Sequence, residues 1–111
     1  GWTSDFGNSD TAEGFKYLVA YSPLHTVKPG AKYPAILVTT GDHDDRVFPA
    51  HSYKYTAAMQ AAVAPAAGPV LIHIEANAGH GGSSGTTPVS KTIADWAYRM
   101  GFGAHYTGWG K

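Results

Sequence analysis

The sequence predicts an α/β fold: the C-terminal portion of a doubly wound sheet, with parallel strands flanked by helices. Two observations carry this. Residues 34–40 and 69–75 are short, β-rich and apolar on both faces, the pattern of interior parallel strands rather than half-solvated antiparallel ones. Segments with helix-start signals lie before, between and after them, giving the order helix, strand, helix, strand, helix.

Each element has a local reason. Asn8-Ser9-Asp10 followed by Thr11-Ala12-Glu13 resembles a helix start. Asp10 and Glu13 have capping-box spacing, and Phe15, Leu18 and Val19 then share one face. Ser22-Pro23 ends this helix, and Pro29-Gly30 marks a turn in the aperiodic stretch that follows. After the first strand, residues 41–48 form a loop. Pro49 opens a helix to about Val63, with Tyr53, Ala57 and Ala61 as inward positions. A Pro/Ala/Gly connector leads to the second strand, and a Gly/Ser-rich loop covers residues 76–87. Pro88 opens a last helix to about Met100, with Ile93, Trp96 and Ala97 on one face, before a tail rich in glycine and aromatics.

Two strands of this kind need neighbours and helices on both faces. Alone, the chain is expected to expose a strand edge and to aggregate. The sequence opens on Gly1-Trp2, with no initiator Met and no leader, and is read as a piece of something larger.

Composition excludes several classes. The 111 residues are 43% hydrophobic and 14% charged, too apolar for a disordered chain. Eight basic residues balance eight acidic ones with no basic run, so nucleic acid and acidic membrane surfaces are not expected partners. No apolar run approaches the length of a membrane span. The absence of cysteine excludes a disulfide framework, a thiolate zinc site and a cysteine nucleophile. Compartment is left open between cytoplasm and periplasm.

The chemistry concentrates in Gly41-Asp42-His43-Asp44-Asp45-Arg46-Val47 and in Asn77-Ala78-Gly79-His80-Gly81-Gly82. Each directly follows a predicted strand, and open α/β sheets gather functional groups at the carboxyl ends of their strands. An acid after one strand and a histidine after the next are two members of a Ser–His–Asp site, in which the carboxylate holds the imidazole and the imidazole reaches a hydroxyl. Glycines around His80 let the loop bend tightly. Three acids compete for the first position, Asp42, Asp44 and Asp45, and residue chemistry alone does not choose among them. Arg46 either neutralises its neighbours or points into a cleft to hydrogen-bond a substrate carbonyl. Asp42, His43, Asp44, Asp45, His51 and His80 are also the right types for a divalent metal. They lack a helical His pair or an H-E-x-x-H motif, so no metal is expected. His73, mid-strand, reads as a packed or hydrogen-bonded core histidine; Trp96, Tyr53 and Tyr55 read as helix packing.

Taken together, Trp2-Thr3-Ser4-Asp5-Phe6-Gly7, Tyr21-Ser22-Pro23-Leu24-His25, Asp42-His43-Asp44-Asp45-Arg46-Val47 with His51-Ser52, and Ala78-Gly79-His80-Gly81 closely resemble the prolyl oligopeptidase family. They stand in that family's order and cover the chain from residue 2 to about residue 100. The resemblance implies a serine peptidase whose α/β-hydrolase domain is capped by a β-propeller. It selects Asp44 as the triad acid and His80 as the triad histidine. It assigns Arg46 to a substrate carbonyl, Trp2 to stacking on the substrate proline, and Val47 to the wall of the same pocket. Phe6 stands where that pocket has a tyrosine, so the apolar wall is kept and the hydroxyl lost.

There is no G-x-S-x-G elbow. Gly82-Ser83-Ser84-Gly85 follows the histidine and lacks a strand–turn–helix setting. Nucleophile, oxyanion hole and propeller are therefore expected outside residues 1–111, which read as the C-terminal part of the catalytic domain. The expected substrate is a proline-containing oligopeptide, with no cofactor. Two alternatives stand beside this one: a related oligopeptidase or aminoacyl-peptidase of other specificity, and a non-catalytic α/β binding module.

Overall fold

The computed structural model describes residues 2–81 and 87–109. The elements are α1 (Thr3–Phe6), α2 (Ala12–Tyr21), β1 (Ile36–Gly41), α3 (Ala50–Ala62), β2 (Val70–Glu75) and α4 (Val89–Thr107). β1 and β2 pair in parallel, from Ile36 opposite Val70 to Gly41 opposite Glu75. The strands therefore end level, and the loops after them leave the sheet side by side. The predicted order of strands and major helices is the observed one. The single turn of α1, too short to show periodicity, is an addition.

Local chemistry moves several boundaries. The N-cap of α2 is Thr11, not Asp10: its Oγ1 accepts the Gly14 N–H at 3.1 Å. Asp10 is taken up by a tighter turn, in which its N–H donates to Asn8 Oδ1 at 3.0 Å and its carboxylate accepts from Asn8 Nδ2 at 2.8 Å. With Thr11 as cap, the third helical position is Gly14, so Glu13 cannot close a capping box.

On α3 the predicted inward face is also displaced. Thr56 and Met59 are buried, whereas Tyr53, Ala57 and Ala61 are exposed. Alanines lie all around this helix, so hydrophobic contrast is weak and the buried face is set by the sheet. Gln60 Nε2 donates to Val70 O at 2.9 Å and fixes α3 over the start of β2.

The last helix runs through Gly101 and Gly103 to Thr107. Each glycine costs about 1 kcal/mol against alanine. The Phe102 and Tyr106 rings, with centroids 4.7 Å apart, pack across this stretch. The stop is Gly108, whose φ of 71° is the left-handed conformation that closes helices. The side of α4 turned to the sheet is polar. Lys91 Nζ pairs with Glu75 Oε1 at 3.0 Å and donates to Ala76 O at 2.6 Å, and the Tyr98 ring lies 4.4 Å from His73. Ile93 and Trp96, placed on one face by the sequence with Trp96 read as packing, are exposed instead, as is Met100.

Burial is correspondingly sparse. Among the described residues the buried hydrophobic side chains are Met59, Val70 and Ala78. β1 is only half-covered until Gly41, and Leu71 and Ile74 of β2 are each 45% exposed. Met59, at 1% exposure, is the most enclosed large side chain. Met59→Ala is expected to cost about 2–5 kcal/mol, measured by chemical denaturation of the folded protein.

Candidate active site

The level strand ends set everything that follows. Gly41, the last residue of β1, is buried against the loop after β2. A Cβ there would collide with Ala78 O and come within 2.8 Å of Gly79 O. Only glycine lets the two loops approach this closely. They are then laced together: Asp42 N donates to Glu75 O at 3.2 Å and His43 N to Ala78 O at 3.0 Å. In return, Asp42 Oδ1 accepts the Ala78 N–H at 3.1 Å and His43 Nδ1 lies 2.7 Å away on its solvent side.

Two residues further along each loop, the lacing delivers Asp44 and His80. His80 Nδ1 lies 2.9 Å from Asp44 Oδ2 and 3.1 Å from Oδ1. Asp44 is 8% exposed, and its Oδ1 also accepts the backbone N–H groups of Arg46 at 3.0 Å and Val47 at 2.8 Å. The carboxylate thus closes its own turn while facing the imidazole. These bonds hold its pKa below the usual carboxylate value: the Val47 N–H has the largest effect, His80 and the Arg46 N–H add to it, and burial opposes them. Asp44 stays ionised at neutral pH, an acceptor that fixes the proton of His80 on Nδ1 and leaves Nε2 for chemistry.

Asp44, Val47 and His80 line one cavity of about 280 Å³, together with Thr40, Ser52, Asp95 and Arg99. The remaining sequence-predicted site residues lie elsewhere. The Arg46 side chain is exposed, with no ion pair among the described residues. Trp2, which precedes α1, and Phe6, which ends it, form a tilted aromatic pair with centroids 6.2 Å apart, outside that cavity. Trp2 has a φ of 71°, an uncommon conformation for a bulky residue. Gly81 closes the described part of the His80 loop, and residues 82–85 lie outside the described residues.

Other groups were not visible as a pattern. His73 Nε2 is 3.3 Å from Glu75 Oε2, and Glu75 also holds Lys91. Lys91 first, and then His73, lower the Glu75 pKa against the effect of burial. Asp95 and Arg99 pair at 2.9 Å on α4. Asp42 had no separate role in the sequence, yet its pKa falls to about 2, through His43 first and then the backbone N–H groups of Asn77 and Ala78. No group of metal-ligating side chains converges among the described residues, and no helix there is long and apolar enough to cross a membrane.

Strands paired in parallel between helices, with an Asp–His pair on adjacent loops at their carboxyl ends, have the architecture of an α/β-hydrolase fold. Comparison with known proteins is specific: the sequence model of the prolyl oligopeptidase family matches residues 1–102. A prolyl endopeptidase of Elizabethkingia miricola is 52% identical over 96 residues, covering 86% of this chain and 14% of that protein. A prolyl endopeptidase of Dictyostelium discoideum is 44% identical, covering 85% of this chain and 13% of that protein. The solved structure of prolyl oligopeptidase B from Galerina marginata, bound to a 35mer hydrolysis and macrocyclization substrate, superposes with a TM-score of 0.82. It is 34% identical, over 96% of this chain and 15% of that one. The chain belongs to the prolyl oligopeptidase family, and it spans about 14% of the length of the curated relatives it matches.

Two outcomes follow. Gly41→Ala should cost about 1–3 kcal/mol in denaturation experiments and separate the loops, lengthening the Asp44–His80 contact in a crystal structure. For Asp42, a folded pKa below the ordinary value means that its contribution to stability is complete above pH 3.8 and is lost as pH falls toward about 2. Its carboxyl carbon, followed by NMR, should titrate near 2 and not near 3.8.

Proposed function

We propose that this chain supplies the acid and base of a serine-type peptidase that cleaves oligopeptides on the carboxyl side of proline. One observation carries the reading: a carboxylate held by two backbone N–H groups faces Nδ1 of a half-exposed histidine on the neighbouring loop. That is the orienting half of a nucleophile–base–acid relay. The names of the relatives supply the reaction class.

The nucleophile is a serine outside residues 1–111, on another part of the catalytic domain. His80 Nε2 takes the serine hydroxyl proton as the oxygen attacks the carbonyl carbon after proline. The tetrahedral intermediate collapses, the C–N bond breaks, and His80 returns that proton to the leaving amine. Water then repeats the sequence on the acyl-enzyme, and the serine is regenerated. Asp44 keeps the imidazole in the required tautomer and balances the imidazolium charge, without itself taking up a proton.

Arg46, free of ion pairs among the described residues, donates to a substrate carbonyl. Trp2 and Val47, with Phe6 beside Trp2, offer apolar surface to the proline ring, which loses little entropy on binding because it is already rigid. The half-covered strands and the exposed apolar stripe of α4 dock on the remainder of the catalytic domain, which a β-propeller accompanies.

His80→Ala in the full chain should abolish peptidase activity, about 10³-fold or more, with substrate affinity retained; full activity in this variant would sink the assignment. Trp2→Ala should lower kcat/KM for a proline-containing peptide far more than for a simple ester. Equal losses on both substrates would move the chain to an oligopeptidase of other specificity.

A further inference from the structure

We propose that Asp42 is a positioning residue for the Asp44–His80 pair, its carboxylate clamping the His80 loop to the Asp44 loop. The inference rests on the peptidase reading of that pair. Asp42 follows the last residue of β1, and its side chain reaches across to the other loop rather than closing its own turn. Its Oδ1 accepts the Ala78 N–H at 3.1 Å, with the Asn77 N–H also directed to the carboxylate. Asn77 has a φ of 54°, the left-handed conformation that asparagine adopts more readily than most residues with a side chain. That bend turns the chain so that His80, three residues on, faces back toward Asp44.

The clamp is reciprocal. His43 N returns a bond to Ala78 O at 3.0 Å, so both polar groups of the Ala78 backbone are tied to residues 42 and 43. Asp44 cannot perform this task, because its Oδ1 is occupied by Arg46 N, Val47 N and His80. Asp45 is exposed, so its side chain is turned to solvent. Asp42 is therefore the acid whose side chain crosses between the loops on the backbone. Its low pKa, near 2, set first by His43 and then by the Asn77 and Ala78 N–H groups, keeps this carboxyl an ionised acceptor at neutral pH.

The test uses the full-length enzyme with a chromogenic proline-containing peptide, kcat being referred to the folded fraction measured by circular dichroism. Asp42→Ala should lower kcat by roughly tenfold to a hundredfold, the scale of a misplacement of about 1 Å, with KM within about twofold. Asp42→Asn, which keeps an acceptor oxygen of the same reach, should recover a large part of kcat; if Asp42→Ala does not fold, Asp42→Val, which fills the space without an acceptor, takes its place. If kcat per folded molecule stays within twofold of the parent in the variant that lacks the acceptor, or if only KM moves, or if Asp42→Asn loses as much kcat as that variant, the positioning role is overturned while the peptidase reading stands. His80→Ala, run in parallel, separates the two ideas: activity surviving in that variant overturns the peptidase reading and the inference with it.

Discussion

Everything at the candidate site depends on two parallel strands ending at the same level. Gly41 opposite Glu75 closes the ladder, and from that point each loop has only a few residues in which to place Asp44 or His80. Parallel pairing makes this possible because both carboxyl ends lie on one edge of the sheet. The absence of a side chain at position 41 lets the second loop settle directly on the first, so that the backbone itself, rather than long side chains, spans the gap. Short links between rigid elements are how a hydrogen bond such as Asp44–His80 acquires a defined length.

Three neighbouring acids have three different fates because their surroundings differ. Asp42 crosses to the opposite loop, Asp44 closes its own turn and faces the imidazole, and Asp45 is exposed to water. Asp42, through His43 first, and Asp44, through the Val47 N–H first, are both driven toward the ionised form. The polar underside of α4 follows the same logic on a larger scale: Lys91 and Tyr98 meet Glu75 and His73 at the end of β2, so the helix is fastened by charge where its apolar stripe suggested packing.

The order of strands and major helices was legible because it rests on continuous apolar runs and on proline and glycine punctuation. Position on the sheet edge was legible too, since Asp44 and His80 each directly follow such a run. What resisted reading was rotation about helix axes. Alanine-rich α3 gives no contrast between its faces, and the Ile93–Trp96–Ala97 face of α4 faces away from these two strands. The Asp42 clamp was hidden for a related reason: it is a contact across 36 residues of sequence, between a side chain and a backbone amide, and no spacing rule encodes it. Glycines inside α4 concealed its length, which ring packing and Gly108 determine.

Few side chains are enclosed within these residues, and that has a consequence for how such an enzyme fails. The loops bearing Asp44 and His80 draw little stability from Met59, Val70 and Ala78 alone. On the proposed reading, most of what holds them comes from the docking of Leu71, Ile74 and the α4 stripe on neighbouring structure. Local detachment then requires far less free energy than global unfolding. Heat would silence the enzyme by lifting this segment away while the rest of the molecule stays folded, and cooling would restore it. Inactivation and denaturation become separate events, the first at a lower temperature than the second.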